Sequence, residues 1–303
     1  MRRLARFYFL DIRKGLLFQW KRFLVGAFLV AGITVLNAVY IDYCIGLAPA
    51  QDFGSFRVSS GDLLVSLCAG MDFYYPNQSM PFPLPVAWMF LILLFLSLTL
   101  DYPLSDLNSV GSSCLVVGSS RVMWWLAKCL WVVTVVFACC LVAVALVSVL
   151  TFANGGVLSL SAHAEVLRLF SFNPESLKGA PWDMGMFFAV FFIVLCSFAL
   201  LQLFLSLLTH PVVGFSRMAV LLFLSAYFDS GYLLGEYLMA ARSSVFVGGG
   251  FRRAWESHSR HCWVCGPLVS VCCFSIGATF WGRRGNDLSS RGKQNDWWAV
   301  GPG

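Results

Sequence analysis

The stretch MGMFFAVFFIVLCSFALLQLFLSLL, residues Met184–Leu208, decides the fold because it contains no charged residue from end to end. A helix of about 20 apolar residues is long enough to cross the roughly 30 Å hydrocarbon core of a bilayer. The whole chain shares this character: of its 303 residues, 59% are hydrophobic and 12% are charged. A soluble domain has about 25% charged residues. The sequence therefore predicts an integral membrane protein.

Five further runs resemble the first in length and apolarity, although the second is short. The six predicted spans are Phe23–Ile45, Leu84–Leu100, Ala127–Leu150, Met184–Leu208, Met218–Leu238 and Trp263–Trp281. Each is expected to be helical, because an isolated strand would leave backbone groups unpaired in hydrocarbon. Prolines precede the second run and predict that its helix begins at Pro83 or later. The predicted fold class is an all-α integral membrane protein, with a six-span transmembrane domain over residues 23–284.

The basic residues predict that both ends of the chain face the cytoplasm. The segment before the first span is strongly basic, with Asp11 as its single acid, and Arg283 and Arg284 follow the last span. Lys and Arg near span ends are retained on the cytoplasmic side. Six crossings place both basic ends there, whereas five or seven would separate them. The arginines of the predicted outer loop 240–261 fit this topology less well.

Residues 1–22 interleave basic and apolar side chains, which is typical of an amphipathic helix lying on the inner leaflet. A basic tail held by anionic lipid is the alternative. A cleaved signal peptide is disfavoured, because both the basic region and the apolar run after it are too long. The tail 285–303 is polar and rich in Gly and Ser, and we expect it to be disordered.

The predicted inner loop 101–128 carries the most suggestive motifs. DYPLSDL at residues 101–107 and GSSRVMWWLAK at residues 118–128 resemble the membrane subunit of bacterial ABC transporters of the type-2, exporter-like permease class. Residues 235–243 and 280–288 are also similar to that family. The resemblance implies that loop 101–128 docks on a cytoplasmic ATPase subunit and that residues 6–22 form an interface helix. The residues it implies at the coupling interface are Asp101, Pro103, Asp106, Arg121, Trp124, Trp125 and Lys128.

Nucleotide chemistry is expected in a partner and not in this chain. No Gly-x-x-x-x-Gly-Lys-Ser/Thr phosphate-binding string occurs, so ATP and Mg²⁺ would be bound by the ATPase subunit. His261, Cys262 and Cys265 are too few for a zinc site, which needs about four ligands. We therefore predict no enzyme activity, catalytic residue, cofactor or metal in this chain. The expected partners are the ATPase, a second identical or different permease chain, and membrane lipid, with no nucleic acid.

Asp229 lies near the middle of the predicted fifth span. An ionisable residue inside a bilayer is costly and is by default a functional candidate, but Asp229 equally fits a role in helix packing. The favoured function is ATP-driven movement of a small hydrophobic, peptide or drug-like cargo across the bacterial plasma membrane. Two alternatives stay open. One is a membrane immunity or sensor protein that does not transport, and the other is a gradient-driven transporter that uses Asp229.

Overall fold

The structure is a computed structural model that describes residues 2–17, 20–47, 57–74, 82–100, 102, 121–170, 172, 177, 179, 182–229 and 233–248. The described residues are mainly helical, and the β-bridges found among them are isolated pairs. The helices are α1 (Arg2–Asp11), a π-helical segment (Ile12–Leu17), α2 (Trp20–Leu47), α3 (Ser60–Leu67), α4 (Val86–Leu98), α5 (Arg121–Ala153), α6 (Ala164–Leu169), α7 (Met184–Leu208) and α8 (Pro211–Tyr227). The predicted all-helical class is confirmed.

Three of the helices in this part of the chain, α2, α5 and α7, are long and apolar enough to cross a membrane. They correspond to the first, third and fourth predicted spans. The shorter apolar helices α4 and α8 correspond to the second and fifth. The predicted sixth span, Trp263–Trp281, lies outside the described residues. The chain is therefore compatible with a membrane-embedded protein, and the count of six spans and the topology stay predictions.

The two shorter helices have ends that side chains from elsewhere help to define. Helix α4 begins at Val86, as the preceding prolines indicated, and its 13 residues cover about 20 Å. Near its end, the buried Gln202 of α7 donates a hydrogen bond from Nε2 to the Leu96 carbonyl at 2.9 Å. The same carbonyl also accepts from the backbone N–H and the hydroxyl of Thr99, so the bond from Gln202 ties α7 to the end of α4.

The predicted bounds of the fifth span, Met218–Leu238, are wrong for its helix. Helix α8 begins seven residues earlier, at Pro211, where proline suits the first helical turn. It ends at Tyr227 because Arg242 donates to the last carbonyls, from Nη1 to Ser225 at 2.9 Å and from Nη2 to Ala226 at 2.7 Å. The apolar run continues past this end as a 3₁₀ turn, Leu234–Leu238.

A cap covers the end of the bundle at which α2 and α5 finish and α7 begins. We define the cap as residues 57–74, 157–170 and 233–248. All eight residues of α3 are buried in it. Asn37 of α2 donates from Nδ2 to Ser66 Oγ at 3.0 Å, and Phe246 packs on Phe187 of α7 with ring centroids 5.2 Å apart. The cap is thus part of the folded core and fixes the spacing of the long helices.

Asp62 joins two segments of the cap. Ser59 is the N-cap of α3: its hydroxyl accepts from Asp62 N, and the Asp62 carboxylate accepts from Ser59 N at 2.8 Å. Asp62 Oδ1 accepts from the His163 backbone N–H at 2.7 Å, and Asp62 Oδ2, which accepts from Ser59 N, lies 2.7 Å from His163 Nδ1. This capping box satisfies helix-end donors, so the buried Asp62 is explained as a structural residue.

The segment 233–248 lies at the centre of the cap. Its backbone N–H groups at Ala240 and Ala241 donate to the carbonyls of Cys68 and Ala69 at 2.8 and 3.0 Å. Trp88 of α4 donates from Nε1 to the Leu238 carbonyl at 2.9 Å. These bonds tie α3 and α4 to a part of the chain that is more than 140 residues distant in sequence.

Arg242 and Asp72 meet at the edge of this segment. The buried guanidinium donates to the carbonyls of Met71 and Asp72 and lies over the Phe73 ring at 5.0 Å. Burial raises the pKa of the Asp72 carboxyl, and this effect exceeds the opposite effects of the Phe73 N–H and of the Arg242 charge. The folded protein therefore binds a proton at Asp72 more tightly than the unfolded chain does.

We expect Asp72→Asn to stabilise the protein at neutral pH. Because the Asp72 pKa is raised on folding, the free energy of unfolding falls as pH rises from the ordinary carboxyl pKa through the pKa in the folded protein. Asparagine carries no titrating group, so the variant avoids this loss. The unfolding temperature of the variant should exceed that of the wild type at pH 7, and the two should converge in acid, where Asp72 is protonated. Asp229→Asn, at an exposed position, serves as the control. Destabilisation by Asp72→Asn at pH 7 would contradict the prediction.

Candidate functional site: the loop clasp

Helix α1 packs along the first half of α5, at the opposite end of the bundle from the cap. The Tyr8 hydroxyl lies 2.8 Å from Thr134 Oγ1, and Asp11, one turn later, reaches Lys128, which is earlier in α5. The two helices therefore run in opposite directions where they touch. The described residues 2–17 of the basic segment are helical, and α1 is docked on a long apolar helix; Trp20–Arg22, the end of the predicted interface helix 6–22, belong to α2.

Asp11 holds both ends of the predicted coupling loop. Its Oδ1 accepts a hydrogen bond from the Tyr102 hydroxyl at 2.8 Å and another from Lys128 Nζ at 2.5 Å. Tyr102 stands at the start of loop 101–128 and Lys128 at its end. We call these three residues the loop clasp. A single carboxylate oxygen on α1 thus links Tyr102 to Lys128, which lies two turns inside α5.

The clasp is buried: Lys128 is 1% exposed and Asp11 is 5% exposed. Taking two charges out of water is costly, and only their mutual attraction and further hydrogen bonds offset that cost. Lys128 Nζ also lies over the rings of Tyr102 and Trp124, at 4.8 and 5.4 Å from the centroids, where cation–π attraction adds to the ion pair. Removal of either charge would leave the other buried without its counter-ion.

The π-helical segment fits against the clasp through a glycine. A Cβ added to the buried Gly15 would lie 2.5 Å from Trp131 Nε1, so only glycine allows this approach. Trp131 is itself fully buried and packs on the Tyr102 ring, with centroids 4.5 Å apart. The π-helix is a rare conformation that occurs frequently at functional sites. Here the π-helical segment begins immediately after Asp11 and places Gly15 against Trp131.

The structure locates part of the predicted coupling interface. Asp101, Pro103 and Asp106 lie outside the described residues, and Arg121 is the first residue of α5. Trp125 is half-buried. Trp124 is 2% exposed, so it and Lys128 face α1. Both side chains are enclosed in the structure, and their place at the coupling interface stays a prediction.

The structure also relocates Asp229. It lies two residues beyond the end of α8 and is exposed, so it is not inside a helix. The prediction of an intramembrane carboxylate rested on the bounds Met218–Leu238, and the early end of α8 removes that basis. The gradient-driven alternative, which would use Asp229, stays a prediction.

Sequence reasoning missed Asp11, Tyr102 and Gly15 as site residues. One signal was visible for Asp11, because it is the single acid of a strongly basic segment. Tyr102 and Gly15 carry no such signal, since their roles depend on the position of α5. None of the described residues forms a group of three or more His, Cys, Asp or Glu side chains that could hold a metal ion. The predicted His261–Cys265 motif lies outside them.

Comparison of the chain with protein-family models, with curated proteins and with solved structures finds no match.

Proposed function

We propose that this chain is the permease subunit of an ABC transporter in the bacterial plasma membrane, coupled to a separate ATPase through loop 101–128. The observation that carries the proposal is the loop clasp. Both ends of the loop that resembles the family's coupling element are bonded to one oxygen of Asp11. A force applied to the loop by a cytoplasmic partner would therefore act on α1 and on α5 together.

The proposal also accounts for the buried positions of Trp124 and Lys128. In this mechanism they connect the loop to the bundle, and contact with the ATPase is left to residues 103–120. The apolar character of α2, α5 and α7 supports a membrane path. The cargo class, small hydrophobic, peptide or drug-like, rests on this apolarity alone. A second permease chain, identical or different, would complete the path.

Co-purification tests the proposal directly. The chain, carrying an affinity tag, is expressed together with the products of its genomic neighbours, and an ATPase subunit should be recovered with it. In nanodiscs, the rate of ATP hydrolysis should differ between the ATPase bound to the permease and the ATPase alone. Failure of any ATPase to co-purify would overturn the proposal.

A matched pair of variants tests the clasp within this complex. Tyr102→Phe removes the hydroxyl that donates to Asp11, and we expect it to leave ATPase recruitment intact but to weaken the dependence of transport on ATP hydrolysis. Tyr43→Phe makes the same change at an exposed position of α2 and should have no effect. Equal transport by both variants would contradict coupling through the clasp.

A further inference from the structure

An apolar groove opens between α2, α4 and α5, near the N-terminal end of α2. Its volume is about 400 Å³, within the range of roughly 300–1,000 Å³ that is typical of ligand sites. Small side chains leave this space: Gly26 and Ala27 on one wall face Ala138 and Ala143 on the other, and Leu98 lies at the base. Every lining side chain is uncharged.

The dimensions of the groove match one leaflet of a bilayer. Along α2 it runs from Trp20 to Val30, which at 1.5 Å per residue is about 15 Å. This is half of the roughly 30 Å hydrocarbon core. Helices α2 and α5, which form its two walls, are the candidate membrane spans that would place the groove in the lipid.

One end of the groove carries the groups that recognise a lipid headgroup. Trp20 is 53% exposed at this end, and tryptophan is enriched at the level of the headgroups. The exposed Lys21 follows it, and a basic residue near the bilayer surface attracts anionic lipid. The groove is thus apolar along its length, and an exposed basic residue follows Trp20 at its end.

We propose that this groove binds one acyl chain of an anionic phospholipid, from the leaflet at the N-terminal end of α2, with its phosphate beside Lys21. An acyl chain is apolar and unbranched, which suits a narrow groove lined by Gly and Ala. A phosphate would place a negative charge beside the Lys21 ammonium. The lipid would act as a structural ligand between α2 and α5, independently of any cargo.

Electron paramagnetic resonance tests the proposal on the full chain in nanodiscs of phosphatidylcholine that contain spin-labelled phosphatidylglycerol. Ala138→Leu fills the groove from the α5 wall, whereas Ala145→Leu makes the same change at an exposed site of that helix. We expect the first variant to lose a motionally restricted lipid component that the second retains. Thermal unfolding checks that both are folded, and Ala27→Leu replaces Ala138→Leu if that variant does not fold.

A second matched pair of variants tests the contact with the lipid headgroup. Lys21→Gln should weaken retention of phosphatidylglycerol by about fivefold and leave phosphatidylcholine unchanged. Lys14→Gln, at an exposed position on the π-helical segment, should not change retention. Equal spectra for Ala138→Leu and Ala145→Leu would overturn the proposal. That result is expected if residues 263–281 or a second copy of the chain occupies the groove instead of lipid.

Discussion

Lys128→Met is expected to lower the free energy of unfolding by about 3–5 kcal/mol, because it removes one charge of a buried ion pair and keeps the Asp11 carboxylate buried. Lys128 Nζ lies 2.5 Å from Asp11 Oδ1, and both side chains are almost fully enclosed. Methionine preserves most of the side-chain volume, so the loss would report the charge rather than packing. Thermal and denaturant unfolding in detergent or nanodiscs measures it.

A double variant separates the effect of the unbalanced charge from the effect of replacing the lysine side chain. Asp11→Asn combined with Lys128→Met removes both charges and keeps an oxygen that accepts from the Tyr102 hydroxyl. Replacement of a buried ion pair by neutral groups is often close to neutral in stability, so the double variant should recover most of the loss. A non-additive result of this kind is the signature of a direct interaction.

The matched control is Lys14→Met, at an exposed lysine of the π-helical segment. It should change stability by less than about 0.5 kcal/mol, as substitutions at exposed positions usually do. If Lys128→Met were no more damaging than Lys14→Met, the buried clasp would be disproved.

Gly61→Ala is expected to cost about 3 kcal/mol, because the added methyl group would overpack the cap. The new Cβ would lie 2.9 Å from the carbonyl carbons of both Leu160 and Ser161, and closer still to the Ser161 oxygen. These are backbone atoms, which cannot rotate away. They are also held in place, since Gly61 N donates to the Ser159 carbonyl at 2.9 Å.

Helix propensity makes this test stringent. Alanine is better than glycine within a helix by up to about 1 kcal/mol, so any loss at Gly61 must come from the contact. Gly32→Ala provides the comparison, because an added Cβ there meets nothing within 4 Å. We expect the control to be neutral or slightly stabilising. Similar unfolding temperatures for the two variants would contradict the close approach of α3 to residues 157–161.

The long helices could be predicted from the sequence, because their signal is local. Lipid exposure requires a continuous apolar run, and the run Met184–Leu208 has the same bounds as α7. The first and third spans were predicted within several residues of α2 and α5. Their extra turns hold basic and aromatic residues, such as Trp20 and Arg121, that a criterion of apolarity leaves out.

The end of α8 could not be predicted in this way. Its final carbonyls are bonded to Arg242, which comes fifteen or more residues later in the chain. The apolar run gives no sign of a break at Tyr227, because residues 233–238, several of which are buried in the cap, are also largely apolar. Burial in a cap and burial in lipid select the same residue types, so composition alone does not separate them.

The candidate site was predicted only at the level of its loop. The motifs of residues 101–107 and 118–128 mark the predicted loop, and Tyr102 and Lys128 lie at the two ends of that loop. The clasp itself depends on a contact between residues 11 and 128, which are 117 positions apart. No local pattern specifies such a pairing, so the burial of Lys128 against Asp11 could not be predicted.

The buried path of residues 233–248 has a consequence for biogenesis. Because Trp88 and the end of α3 bond to this segment, the helices that leave the ribosome first lack part of their interior until it has been synthesised. Early segments must therefore stay incompletely packed until residues 233–248 are present. Nascent chains stalled before position 233 should accordingly be more sensitive to protease than chains released after position 248.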